Sequence, residues 1–142
     1  MINVLITGAN RGLGLGFVKK YLEKNVHVLC TTRDISGSKE LLECKERYPN
    51  NIEIFELDLL KENGAETLAN QLNGMPIDIL INNAGVGSSN QHFEAVSSKP
   101  WLEVLKVNLI APLIITQSLI ENVKKSSVKK INFLSSQLGS IE

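Results

Sequence analysis

A chain of 142 residues is long enough for one domain with its own core and too short for two. Lysine and arginine (15) balance aspartate and glutamate (15), which leaves no field of one sign to attract nucleic acid or an anionic membrane. An apolar share of 43% excludes a disordered chain, and two cysteines without a CxxC pattern exclude a disulfide framework or a clustered zinc site, which fits a reducing, cytoplasmic setting.

The first predicted element is a short β-prone run, Val4 to Ile6, ended by Thr7-Gly8 and followed from Leu13 to Leu22 by apolar residues at helical spacing. Strand and helix then alternate. Val26 to Thr32 predicts a second strand, Ser38 to Tyr48 a charged amphipathic helix, and Ile52 to Leu57 a third strand. Glu62 to Leu72 predicts another helix, closed by Asn73-Gly74, before a short apolar strand at Ile77 to Ile81. Lys99 to Lys125 reads as one long helix disturbed near Pro112, whose ring removes a backbone donor, and Lys130 to Leu134 is the last strand. The basic run Lys124 to Lys130 flanks a helix end and reads as a solvated cap rather than an anion patch.

Neither end of the apolar scale points to a membrane. Ile2 to Ile6 is too short for a signal segment and has no charged residues before it. The longest later run, Leu109 to Ile115, falls far below the ~20 residues of a membrane span. Five strands alternating with four helices imply βαβ units, hence an α/β protein with a doubly wound parallel sheet whose strands are buried on both faces. No linker, repeat or low-complexity tract divides residues 1–142, so they are expected to form one domain.

Between the first strand and the first helix lies Thr7-Gly8-Ala9-Asn10-Arg11-Gly12-Leu13-Gly14. Glycines at such a junction allow a sharp turn and a close backbone approach, so the helix N-terminus can present N–H groups to a diphosphate. The order is T-G-x-x-x-G-x-G, not G-x-G-x-x-G, because position 17 is Phe17, and no Gly-Lys-Ser/Thr follows to make a P-loop.

With this turn, Asp58-Leu59 after the third strand, Asn82-Asn83-Ala84-Gly85 after the fourth, Asn108 in the long helix and Ser135-Ser136 after the fifth, the chain resembles the short-chain dehydrogenase/reductase family. The wording of Thr7 to Gly16 and of Asn132 to Ile141 is most similar to the sniffer and C-factor branch of carbonyl reductases. The resemblance covers essentially the whole chain but only the N-terminal part of a family member. It implies a Rossmann-like fold that lacks the family's C-terminal strands and helices. Complete members act on small carbonyl substrates and form homo-oligomers.

The implied cofactor site comprises Gly8, Asn10, Arg11, Gly12, Leu13 and Gly14 of the turn, Thr32 and Arg33 at the end of the second strand, Asp58 and Leu59, and Asn83, Ala84 and Gly85. Asp58 would accept from the adenine amino group, Leu59 would offer a backbone N–H, and Asn83 to Gly85 would lie beside the adenine ribose. Asp58 also reads as a helix N-terminal acid, and Asn82 and Asn83 as turn residues satisfying backbone groups. An acid ending the second strand accepts from a ribose 2′-hydroxyl, whereas a base accommodates a 2′-phosphate. Arg33 and Arg11 therefore favour NADP(H), with Asp34 serving a hydroxyl as the opposing reading.

For catalysis the resemblance implies Ser136 as the residue bonding the substrate oxygen and Asn108 as part of a proton relay; alone, they read as a strand-end turn residue and a polar interruption of the helix. The family's Tyr-x-x-x-Lys has no match: Asn25 stands four positions past Tyr21, and Ile52 four past Tyr48. Without a sixth strand beside it, Lys130 to Leu134 is expected to form an exposed apolar edge, and the long helix to lose the usual oligomer surface. His27 and His92 form no metal or triad pattern, and Trp101 and Phe93 are expected to pack the long helix. Three functions follow: an NADP(H)-dependent carbonyl reductase represented by its cofactor half, a dinucleotide-binding module without turnover, and a protein-interaction scaffold that binds no dinucleotide.

Overall fold

The computed structural model describes residues 1–87, 92–136 and 139. Strand β1 (Asn3–Ile6) leads into helix α1 (Gly12–Glu23), β2 (His27–Thr32) into α2 (Lys39–Arg47), and β3 (Ile52–Glu56) into α3 (Gly64–Leu72). Strand β4 (Ile79–Asn82) is followed by a 3-10 turn at Phe93–Ala95, α4 (Ser98–Leu105), a π-helical turn (Lys106–Ile110), α5 (Ala111–Lys124) and β5 (Lys130–Phe133). The five strands form one sheet in the order β3-β2-β1-β4-β5, and every pairing is parallel. The chain thus winds outward from β1 to β3, then returns to add β4 and β5 on the other side of β1.

Successive strand residues face opposite layers, and the packing divides accordingly. Val4, Ile6, Val28 and Cys30 pack with Leu15, Val18 and Leu22 of α1 and Leu41 and Cys44 of α2. Leu5, Leu29 and Leu80 pack instead with Leu68 and Leu72 of α3 and Ile115, Leu119 and Val123 of α5. At the amino ends of the strands, Asp78 accepts from the Asn3 N–H at 2.7 Å and from the Ser126 hydroxyl at 2.5 Å, tying β1 and the turn before β5 to β4.

Three sequence expectations change here. Ser98–Lys124 contains an 18-residue window of mean hydropathy 1.4 and is long and apolar enough to cross a membrane by length and composition. Counting an uninterrupted apolar run missed this, because Asn108 and Thr116 end the run without breaking the helix. In the fold, Val107, Ala111, Ile115, Leu119 and Val123, each a turn apart, turn one stripe of it inward. Second, Trp101 and Phe93 do not pack the helix: they are 58% and 92% exposed, Trp101 on a segment with no buried residue and Phe93 in the turn before it. Third, the disturbance at Pro112 is a wide turn. The Ala111 N–H donates to the Lys106 carbonyl, one residue farther back than in an α-helix, and Pro112 has no N–H to offer the next position.

The β5 edge is exposed as expected, with Phe133 58% and Leu134 39% accessible. Both cysteines are free and buried. Burial, reinforced by Cys44, pushes the Cys30 thiol up to about 12, and burial also raises Cys44. The folded chain should therefore react with a thiol reagent at pH 8 only as fast as it opens, measured against the same reaction in denaturant. Leu5→Ala, at a fully buried position between β2 and β4, should cost about 2–5 kcal/mol in a urea unfolding curve.

Candidate functional site

In a doubly wound sheet the crevice opens where the winding reverses, beyond the carboxyl ends of the strands. Here that point lies between β1 and β4, and a cleft of about 700 Å³ occupies it. The cleft is bordered by Gly8, Asn10, Arg11, Gly12, Leu13 and Gly14 after β1, Thr32 and Arg33 at the end of β2, Asp58 and Leu59 after β3, and Asn83, Ala84 and Gly85 after β4. The fold thus brings every cofactor-site candidate to one cavity. Asn108 and Ser136 are not in its lining: Asn108 follows Val107, which is, and Ser136 lies exposed past β5. The Gln137-Leu138 part of the serine motif falls outside the described residues.

The glycine turn is held by close approach. Gly8 has φ +63°, and a Cβ there would lie 2.7 Å from the Ala84 Cα. A Cβ on Gly14 would lie 2.5 Å from Asn83 Nδ2 and would also strike the Gly8 carbonyl oxygen. Two glycines therefore let the start of α1 close on the loop after β4. Gly12, at φ +55°, has open space where its side chain would be. Arg11 at the N-cap makes no side-chain cap, so the first-turn amides of α1 are left for an anion, which the helix dipole also favours.

The residue that organises this junction is Thr7, quoted in the motif but not singled out as a site residue. It is 1% exposed, and its Oγ1 accepts from the backbone N–H groups of both Asn83 and Ala84 at 3.1 Å. In the reverse direction, Asn83 Nδ2 donates to the carbonyls of Thr7 at 2.9 Å and Gly8 at 3.0 Å. The structural reading of Asn83 as a turn residue satisfying backbone groups thus describes its side chain. Asn82 is buried at the end of β4, and its Nδ2 donates to Thr116 Oγ1 at 3.2 Å.

Arg11 and Arg33 are exposed and give the cleft two guanidinium groups. The neighbouring acid is engaged: Asp34 Oδ1 accepts from the Ser36 hydroxyl at 2.7 Å and the Gly37 N–H at 3.0 Å, bonds that hold its carboxyl below the usual carboxylate range. Asp58 closes its own turn by accepting from the Leu60 N–H at 3.0 Å, and α3 begins only at Gly64, so Asp58 is not that helix's N-terminal acid.

Asn108 sits in the π turn and clamps the backbone of Val86: its Oδ1 accepts from the Val86 N–H, and its Nδ2 donates to the Val86 carbonyl, both at 2.8 Å. The far wall of the cleft comes from Val86, Gly87, Pro100, Glu103, Val104 and Val107. No motif marks these positions, and only the packing of α4 across the loop brings them in. His27 stands at the opposite ends of the strands, between Asn3 Oδ1 at 3.0 Å and Glu53 Oε1 at 3.2 Å. Among the described residues no group of three or more His, Cys, Asp or Glu is placed to hold a metal.

The fold is shared with known proteins. The structure superposes on the NADPH-bound carbonyl reductase from chicken fatty liver with a TM-score of 0.86 and 35% identity, over 98% of this chain and 61% of that one. Carbonyl reductase Sniffer of D. melanogaster matches with a TM-score of 0.85 and 31% identity, over 99% of this chain and 64% of that one. A 3-oxoacyl-(acyl-carrier-protein) reductase of Buchnera aphidicola is 31% identical over 137 residues, 95% of this chain and 54% of that protein. The chain therefore spans about half the length of the curated relatives it matches. With the short chain dehydrogenase pattern matching residues 2–142 as well, the chain belongs to the short-chain dehydrogenase/reductase family.

Proposed function

We propose that residues 1–142 form the NADP(H)-binding part of an oxidoreductase that reduces the carbonyl of a small substrate. The observation that carries this reading is the composition of the cleft: uncapped amides at the start of α1, two arginines, and an acid at the end of β2 whose carboxylate is bonded within its own loop. That donor set suits a diphosphate and a 2′-phosphate, and the open space at Gly12 lets backbone approach the ligand. NADP- or NADPH-bound carbonyl reductases among the structural relatives support the same cofactor. When bound, the nicotinamide would supply hydride to the carbonyl carbon.

The chain's own residues would then divide the remaining work. The first turn of α1 binds the diphosphate, Arg33 and Arg11 the 2′-phosphate, and Asp58 and Leu59 the adenine edge. Asn83, Ala84 and Gly85 line the adenine ribose. Ser136, at the end of β5, is assigned to the substrate oxygen. Asn108 has its amide committed to Val86, so here it holds the loop after β4 over the cleft. Leu109 in the π turn and Leu113 on α5 are more than half exposed, and homo-oligomer contacts are assigned to a complete family member rather than to these residues alone. Buried free cysteines suit a reducing, cytoplasmic setting.

A second reading, dinucleotide binding without turnover, is favoured by the tyrosines. Tyr21 lies on α1 and Tyr48 caps α2, both pack against the hydrophobic core, and neither lines the cleft. No lysine stands four positions beyond either one. The proton donor of the reaction is thus not found among these residues, and the chain alone should bind NADPH without consuming it.

Titration with NADPH and NADH, followed by fluorescence and thermal stability, tests both readings. Saturable NADPH binding, weakened about tenfold or more by Arg33→Ala with NADH little affected, is expected; no binding of either nucleotide would overturn the cofactor assignment. Thr7→Val keeps the shape but leaves two half-buried amides without their acceptor, so it should lower unfolding stability by about 1–3 kcal/mol in all and weaken NADPH binding in the same titration.

A further inference from the structure

The short connection from β2 to α2 is closed by more hydrogen bonds than its length requires. Asp34 Oδ1 takes two donors from within the loop, the Ser36 hydroxyl at 2.7 Å and the Gly37 N–H at 3.0 Å. Beneath it runs a second tie: Ser38 Oγ donates to the Asp34 carbonyl at 2.6 Å and lies 2.9 Å from Thr32 Oγ1. Thr32 and Ser38 are 3% and 4% exposed, so this lower tie is shielded from water. A Cβ at Gly37 would run into the Asp34 carboxylate, which makes glycine part of the same device. Arg33 stands between the two anchored residues Thr32 and Asp34, and all three border the cleft.

We propose that Asp34 is a positioning residue for NADP(H) selectivity: by clamping the turn from Asp34 to Ser38 it fixes the backbone from which Arg33 reaches a 2′-phosphate, rather than accepting from a ribose 2′-hydroxyl. This inference rests on the reading of the cleft as an NADP(H) site. Its physical basis is the cost of ordering. An arginine on a loose loop must lose backbone and side-chain freedom when it grips a phosphate, and a loop already tied at both ends has less to lose. Oδ1 of the carboxylate already takes two donors from within the loop, which turns the group toward Ser36 and Gly37. It also stays charged, because both donors favour the ionised form.

The test compares NADPH and NADH affinities of the unaltered chain with those of Asp34→Ala, Asp34→Asn and Ser36→Ala. Asp34→Ala should lower the NADPH-over-NADH preference about tenfold, mainly through weaker NADPH binding. Asp34→Asn keeps an oxygen acceptor for Gly37 and Ser36 and should retain most of the preference, while Ser36→Ala, which removes one donor, should fall between. In parallel, amide exchange at Gly37 should quicken in Asp34→Ala and not in Asp34→Asn. Selective loss of NADH binding in Asp34→Ala would identify the carboxylate as a ribose acceptor and overturn the proposal. Equal weakening of both nucleotides, or an unchanged preference, would overturn it too. Failure of the unaltered chain to bind either nucleotide would overturn the cofactor reading and this inference with it.

Discussion

The junction between β1 and β4 depends on one side chain. Thr7 offers a single buried oxygen to two amides of a loop 76 and 77 residues away, and Asn83 returns two bonds to the loop after β1. Four hydrogen bonds thus cross the point where the winding reverses. They hold the two loops together at the level where the strands themselves stop pairing. The glycine turn closes against the same loop, since only the missing Cβ atoms of Gly8 and Gly14 let it approach Ala84 and Asn83 so closely. The first residues of α1, Gly12 to Gly14, border the cleft beside this cross-tie.

The same economy recurs around the rim. Asn108, Asp34 and Asp58 each use a side-chain oxygen to accept from a nearby loop amide: Val86, Gly37 and Leu60 respectively. The loops after β2 and β3 are therefore shaped by their own carboxylates, and the loop after β4 by Asn108 of the π turn, before any ligand arrives. Such preorganisation lowers the entropy that binding must overcome. The arginines are the contrast, since Arg11 and Arg33 border the cleft and are exposed.

Much of the fold was legible because it rests on short-range signals. The alternation of apolar strands with amphipathic helices gave element order and parallel pairing, and the glycine spacing after β1 marked the cleft. Boundaries moved by a residue or two, as at β4, which begins at Ile79 rather than Ile77 because Ile77 bonds to Asn122 instead of to a neighbouring strand. What was not legible depends on distance. Thr7 looked like part of a turn because its partners lie far along the chain, and the wall from Pro100 to Val107 carries no motif. Trp101 and Phe93 were misplaced because large aromatic side chains suggest a core, while helical phase puts Trp101 outward.

The π turn at Lys106–Ile110 joins two helical segments with different duties. Segment α4 has no buried residue and turns Pro100, Glu103 and Val104 toward the cleft, whereas α5 presents Ile115, Leu119 and Val123 to the sheet. One extra residue in a turn shifts the azimuth of everything beyond it by about 100°. The wide turn is therefore a phase shifter. It allows a single unbroken rod to serve as cleft wall at one end and core brace at the other, and Asn108 stands at the point where the rod changes over.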